Sequence, residues 1–400
     1  MGTYLFSNGT PRKVIEVFSH AGLSMSYSSV IRALRLLSKS SMANIRTVAA
    51  NKTWHIVYDN LNFRRIKHDQ RLDNKDSFVS GTTATLIQCD STDGIFNQNA
   101  HKKLCLQDLL ITKNNHDQFK EVSTYHLVNA LKRHFEVFQG LQNDAPIKNL
   151  LQLKKSETFP LPSMDINESS VEGNKDVIET IINSTLELPR QWFHNGRHVV
   201  IAGDQLTIKN IRSVMRVGDT TGPIVPPKFQ MIFAATILRT YYGSVTTPGS
   251  LAHIAVMLGR KRISTEKLDF HAVNELIYHV FEAAAWRAWR VAMEDDAFSS
   301  DCGESSEEFA RRKSSEIFEK LVSGANSFFD HKNNVSFNGS LLFRDMMLYV
   351  ELSHAIKSGD IGRIEEVIKW LTLMLQAGCT RNYAHELIHL HCGLQYAWPK

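Results

Sequence analysis

Cysteine is scarce and unpaired in pattern. The five residues Cys89, Cys105, Cys302, Cys379 and Cys392 are scattered through 400 residues and odd in number. They give no disulfide framework and fit a reducing, intracellular compartment. Apolar runs are short: none reaches the ~18 residues of a membrane-spanning helix, so no membrane partner is expected. The N-terminus, MGTYLFSNGTPRK, lacks an apolar stretch behind a basic start, so no secretory signal is read there. Acids are scarce at one end only. Residues 1–75 hold twelve Lys/Arg against four Asp/Glu, a surplus of eight, while the whole chain carries +5 and the remainder therefore −3. A basic N-terminal part predicts a polyanion partner, with nucleic acid the default and a solvated basic face the alternative. Bases are missing in turn from residues 294–308, EDDAFSSDCGESSEE, which hold seven acids. That stretch reads as a solvated loop away from any carboxylate site. With a nucleic-acid partner the expected location is intracellular, the nucleus included.

A hydrophobic share of 43% is ordinary for a globular protein. The length allows one large core or two to three smaller ones. In residues 11–50, Val14, Ile15, Val17 and Phe18 follow Pro11 at helical spacing, and Gly22 breaks the pattern. Ser26 or Ser28 then caps a second helix with Arg32 and Arg35 off its apolar side, the outline of a helix-turn-helix. Thr53 to Tyr58 is aromatic and β-branched and runs into Asp59-Asn60, a strand ending on an acid. A basic hairpin-like piece, FRRIKHDQRLDNKDSF, leads to a further strand near Val79–Ile87. Residues 104–153 read as helical, and 154–176 as a linker or long loop with little to bury. Val199–Ala202 is a short apolar run that ends abruptly at Gly203-Asp204, which reads as a strand buried on both faces. A helical pattern follows, so Asp204 sits where ligands collect in α/β sheets, or caps that helix. Residues 229–237, FQMIFAATI, read as another buried strand running into a helix that ends near Gly243. From Leu251 onward the pattern is helical, with Asp360 an N-cap, Gly378 a C-terminal stop and Asn382 capping a last helix.

The expected fold is therefore α/β with a large helical part, the order of elements being that of a ribonuclease-H-like core. Three regions are expected. Residues 1–50 form a basic helical segment, 51–245 the α/β core with its loop at 154–176, and 246–400 a helical insertion or domain. The apolar stripe of the last helix predicts a partner and a longer parent protein.

Three chemistries are compatible with the motifs. In the first, Asp59 and Asp204 end neighbouring parallel strands and hold Mg²⁺ or Mn²⁺ through hard oxygens, as in two-metal phosphodiester chemistry. The third acid is Glu386, with Glu351 and Asp345 as alternatives. Arg64, Arg65, Lys67 and Arg71, just after Asp59, would clamp phosphates, with Arg32 and Arg35 as further nucleic-acid contacts. In the second, His385-Glu386-Leu387-Ile388-His389 spells HExxH, in which His385 and His389 bind Zn²⁺ in a hydrolase. Cys392 and Gln395 occupy the positions where a longer zinc motif carries Gly and His. In the third, the chain is a non-catalytic binding scaffold.

The strings YDNLNFRRIKHDQRL, GTTATLI, VVIAGDQLTIKNIR and AIKSGDIGRIEEVIKWLTLMLQAGCTRNYAHELIHL carry a resemblance. They are similar to an uncharacterised fungal (basidiomycete) family, a domain of unknown function borne by transposon-like multicopy genes. The similarity spans nearly the whole chain, with GDQLT and NYAHELIHL its most specific strings. It implies a transposase-derived protein with a ribonuclease-H-like core, in which Asp59 and Asp204 match the first two acids. The family's members extend past this chain, which implies that the third acid is missing, that Glu386 is structural and that the chain is inactive as it stands.

Overall fold

In a computed structural model of the chain, the described residues are 1–66, 75–89, 105–189, 191–194, 199–218, 224–225, 229–260, 263–295, 305–323, 334–378 and 381–397. Helices α1 (Gly2–Ser7), α2 (Arg12–His20) and α3 (Tyr27–Asn51) lead into strands β1 (Thr53–Arg65) and β2 (Ser77–Cys89). Then come α4 (Leu106–Leu109), α5 (Lys113–His134), β3 (Thr158–Pro160), α6 (Val171–Glu179), α7 (Gln191–His194), β4 (Val200–Ala202), α8 (Gln205–Gly218) and β5 (Ile224–Val225). The rest is helical: α9 (Phe229–Tyr241), α10 (Leu251–Met257), α11 (Phe270–Asp295), α12 (Ser306–Phe318), α13 (Asn334–Ser358), α14 (Ile361–Ala377) and α15 (Arg381–Cys392). Among the described residues no helix is long and apolar enough to cross a membrane.

Two compact units result, and neither is one continuous stretch. The first comprises residues 1–99, 155–227 and 397–400, the second residues 100–154 and 228–396. These divisions differ from the expected ones at 50 and 245. Ile45 and Ala49 of α3 are buried in one cluster with Trp54, Ile56 and Tyr58 of β1, so the N-terminal helices share the core of the sheet. Residues 100–154, in turn, belong with the later helices.

The first unit holds a five-stranded sheet in the order β3-β2-β1-β4-β5. β1 pairs antiparallel with β2 and parallel with β4. β2 pairs antiparallel with β3, and β4 parallel with β5. One of these strands falls where the sequence suggested a loop. β3 lies in the 154–176 segment, held by main-chain bonds to Thr85–Ile87 and carrying Pro160 on a sheet edge, where proline is tolerated. β5 is two residues long, too short for any side-chain period. Alternate residues of β1, namely Trp54, Ile56 and Tyr58, are buried against Ile208 and Ile211 of α8 and Val177 of α6. Trp54 stacks on Trp192 of α7 at 5.6 Å between ring centroids and donates its indole N–H to the Ala49 carbonyl at 2.9 Å.

The elements of the second unit among its described residues are helices, while residues 141–153, expected to be helical, are irregular with one isolated bridge between Leu150 and Asp360. The FQMIFAATI stretch is part of α9 and not a strand. Ile232, Phe233, Ala234, Ala235, Ile237 and Leu238 are all buried, and a helix buried all round loses the period that distinguishes it from a strand. Ser26, Asp360 and Gly378 cap α3 and α14 as the sequence suggested, while the last helix begins at Arg381. Of its apolar stripe, Leu387 and Leu390 are buried and Tyr383 and Leu394 half-buried, Trp398 lies outside the described residues, and α15 packs on α14.

A buried ionic cluster organises this unit. Arg363 of α14 donates Nε–H to Glu351 Oε1 at 2.7 Å and Nη2–H to Oε2 at 2.6 Å, and His126 Nε2 lies 2.7 Å from the same Oε2. Burial pushes the Glu351 carboxyl up. Its hydrogen bonds to His126 and Arg363 outweigh that and hold it below the usual carboxylate range. Asp360 caps α14 through the Arg363 amide and also accepts the amides of Lys148 and Asn149 at 2.9 and 3.0 Å. It thereby ties the end of the 100–154 segment to the later helices. Replacing Arg363 with Met should leave a charge buried without its main partner and destabilise this unit by about 3–5 kcal/mol. Denaturant unfolding followed by circular dichroism tests this, and an unchanged midpoint would sink the assignment.

Candidate functional site

Main-chain pairing builds the site. β1 and β4 run parallel with Val57 opposite Ala202 as the last pair. Asp59 and Asp204 each follow that pair by two residues, Asp59 still within β1 and Asp204 in the turn between β4 and α8. The alternation that buries Trp54, Ile56 and Tyr58 leaves Asp59 exposed, and Asp204 is exposed as well. Asp204 is also the cap of α8, as the local sequence allowed: Oδ1 accepts the Thr207 amide at 2.8 Å. Asp59 Oδ1 accepts the amide of Asn60 at 2.9 Å. One oxygen of each carboxylate is thus engaged, and each has a second.

A third carboxyl joins them that sequence reasoning had not selected. Glu168 precedes α6 and is 1% exposed. Three contacts hold its segment against β2. Thr82 and Met164 exchange two main-chain hydrogen bonds of 2.9 Å, and Thr82 Oγ1 donates to the Ile166 carbonyl at 2.7 Å. Gly81 permits the approach, because a Cβ there would come within 2.7 Å of the Met164 carbonyl oxygen. Gly173 plays the same part against the Asn167 carbonyl. Asn174 donates to the Glu168 carbonyl and accepts the Tyr58 hydroxyl at 2.8 Å, which locks α6 to β1.

The Glu168 side chain meets both aspartates electrostatically. Burial pushes its pKa up to about 7, and the negative charges of Asp59 and Asp204 add to that rise. Hydrogen bonds from Thr207 Oγ1 (3.3 Å to Oε1) and from the Asn60 amide oppose it. Its other oxygen, Oε2, is buried with no hydrogen-bond partner among the described residues. The three acids therefore come from the middle of β1, which runs on past the end expected at Asp59-Asn60, the segment before α6 and the turn after β4. Among the described residues, however, no three His, Cys, Asp or Glu side chains are gathered closely enough to hold a metal ion. Like charges repel, and in the absence of a cation protonation of Glu168 is what relieves them.

The other candidates lie apart from this cluster in their chemistry. Glu386 is in the second unit, buried on α15, whereas His385 and His389 are on the exposed side of the same helix. The two histidines and the glutamate of HExxH thus differ in exposure, where a catalytic zinc needs them together. Asp345 and Glu351, also in the second unit, are committed to ion pairs. Arg344 reaches Asp345 at 2.8 Å and the Tyr241 hydroxyl donates to it at 2.6 Å, while Glu351 holds Arg363. Arg32 and Arg35 are exposed on α3, but the far end of that 25-residue helix is buried in the sheet's core, so it is no detached reading module. Arg64 is exposed near the end of β1 and pairs with Asp76 at 2.7 Å. Arg65 is a β1 residue, and Lys67 and Arg71 lie outside the described residues.

A signal for Glu168 was present in the sequence. Leu161, Met164 and Ile166 carry apolar groups into a stretch otherwise read as linker, and all three pack in the core of the first unit. Residues 98–400 match a family described as a family of unknown function, DUF6589. Glu168, Asp204 and Glu386 lie within the matched span, and Asp59 lies before it. No curated protein and no solved structure matches the chain.

The raised pKa of Glu168 has a consequence for stability. The folded protein keeps this proton up to about pH 7, while the unfolded chain releases it near the ordinary glutamate value of 4.5. Its contribution is full below that ordinary value and is lost as pH rises through about 7. Glu168→Gln should flatten the fall in stability between these two pH values and stabilise the unit at pH 8. Unfolding midpoints measured across this range check it, and identical pH slopes for the two proteins would refute the coupling.

Proposed function

The chain belongs to this family of unknown function, and we propose that its first unit is a ribonuclease-H-like core, derived from a transposase, with a metal-dependent phosphodiester-transfer site. The observation that carries the reading is that Asp59 and Asp204 each follow the last parallel pair of β1 and β4 by two residues, with the Glu168 carboxyl in electrostatic interaction with both. Strand order and direction support it, since the sheet runs three antiparallel strands and then two parallel ones across the acid-bearing β1. The resemblance of its strings to those of transposon-like fungal proteins and the basic surplus of residues 1–75 support nucleic acid as partner, within the cell and with the nucleus included.

The donor set fits a hard divalent cation. It offers carboxylate oxygens only, including a buried Oε2 that lacks a partner among the described residues. When bound, Mg²⁺ or Mn²⁺ supplies the positive charge that activates the attacking oxygen and steadies the leaving one. Asp59 and Asp204 each offer an oxygen not engaged by the backbone bonds above. Thr207 and the Asn60 amide orient Glu168, which releases its proton when positive charge arrives. Arg64 stands on the same strand as Asp59, on its other face and paired with Asp76.

A second reading keeps the nucleic acid and drops the chemistry. It is favoured by the absence, among the described residues, of three donors already gathered for a metal. The zinc reading of His385 and His389 has no third donor with them among the described residues.

Two measurements decide. Titration of Mn²⁺ at pH 6.5 should release about one proton per protein, and Glu168→Gln should abolish the release. Asp59→Asn, Asp204→Asn and Glu168→Gln should each lower Mn²⁺-dependent cleavage of DNA at least about a hundredfold, with Glu386→Gln near wild type. Metal binding without cleavage selects the binding-only reading. Neither binding nor cleavage would overturn the site.

A further inference from the structure

We propose that the second unit carries a binding cavity for an apolar organic anion, of the class of a medium-chain carboxylate. The cavity has a volume of about 370 Å³, within the range of small-molecule sites (~300–1,000 Å³). Three helical segments wall it. α11 lines it with Ala284, Ala288 and Ala292, which follow one another at one-turn spacing. Ile317 of α12 and Leu321 of the turn Glu319–Ser323 form the second wall. Gly339, Ser340 and Phe343 of α13 form the third. Small residues leave the space open: a Cβ built on Gly339 meets no atom within 4 Å.

Aromatic contacts pin each wall, so the helices do not close over the space. Phe343 stacks on Phe281 of α11 with 5.6 Å between ring centroids. Trp289 of α11 is fully buried and donates its indole N–H to the Leu127 carbonyl of α5 at 2.8 Å. Phe318, at the end of α12, meets Phe119 of α5 edge to face at 5.7 Å. Apolar walls give water few partners, which favours an apolar occupant. The charge in the lining specifies the occupant's head group. Arg287 lines the cavity and makes no ion pair or hydrogen bond among the described residues. Glu316, the carboxylate of the lining, is already held by Arg312 at 3.3 Å and Lys313 at 3.1 Å. Lys320 adds a further positive charge. A guanidinium takes a carboxylate through two parallel N–H bonds, whereas a cationic ligand would be repelled. A nucleic-acid strand, polar along its length, does not suit these walls. The cavity therefore stands apart in its chemistry from the acids of the first unit, and nothing in its argument rests on them.

The test uses the full chain and anilinonaphthalene sulfonate, an apolar anion that fluoresces in apolar sites, with decanoate as competitor. Wild type should bind one equivalent of the dye and release it to decanoate, with decylamine about tenfold weaker or more. Gly339→Leu places a side chain in the open space and removes a glycine from a helix. It should raise the melting temperature and weaken decanoate by about tenfold or more, a pair of effects that a folding defect would not produce. Ala288→Trp blocks the cavity from another wall and should weaken decanoate likewise, with circular dichroism establishing its fold. Arg287→Glu should keep affinity for decanol and lose the preference for decanoate over decylamine. Decanoate binding unchanged in both Gly339→Leu and Ala288→Trp would overturn the cavity, and equal binding of decanoate and decylamine by wild type would overturn the anion. A wild-type dimer that Gly339→Leu turns into a monomer would give the space to a second copy and overturn the proposal as well.

Discussion

The parallel pairing of β1 with β4 is the constraint on which the first unit depends. Three residue pairs set the register, and two acids separated by 145 residues of sequence each follow the last of those pairs by two residues. A shift of one residue would turn Trp54, Ile56 and Tyr58 away from the core, so burial enforces the register. The side chains that hold the sheet together therefore also decide where its charges stand. Asp204 shows the economy of the arrangement, since one of its oxygens ends α8 properly while the residue sits beside its partner strand's acid.

Glu168 occupies the opposite kind of environment. Its backbone is anchored through Asn174 and Tyr58, its segment through Thr82, and its side chain is buried beside two negative groups. Burying a carboxyl there is unfavourable unless it is protonated or a cation is near. The fold nonetheless clamps the segment in place with two close glycine contacts and a set of satisfied amides. Energy invested in holding an acid where it is poorly solvated is characteristic of sites that bind or react.

The helical unit solves a different problem, which is to make one core from two distant stretches of chain. Asp360 does this by accepting main-chain amides from both stretches, and Arg363, three residues later, carries the ion pair to Glu351 and, through it, His126 of α5. The residues between β2 and β3 thus leave the sheet, join the helices and return. The sheet's third strand arrives 69 residues after the second ends at Cys89, which is why the order of elements along the chain is hard to read as one fold.

Local physics was legible in the residues themselves. The caps at Ser26, Asp360 and Gly378, the strand that runs into Asp59, the abrupt stop at Gly203-Asp204 and the long amphipathic helices all follow from short-range rules of period and hydrogen bonding. The tertiary structure alone decided which acids keep company. Glu386 and Glu168 have equal claims as carboxylates in a sequence, but one is on a helix of the second unit and the other is pinned beside Asp59 and Asp204. β3, β5 and the helical identity of α9 escaped for related reasons. An edge strand is held by backbone bonds that leave no side-chain period, a two-residue strand is too short to have one, and a helix buried on every side shows none. Charge and period are properties of neighbours in sequence, whereas proximity of carboxyl groups is a property of strand register, and register is settled only when the whole core is packed.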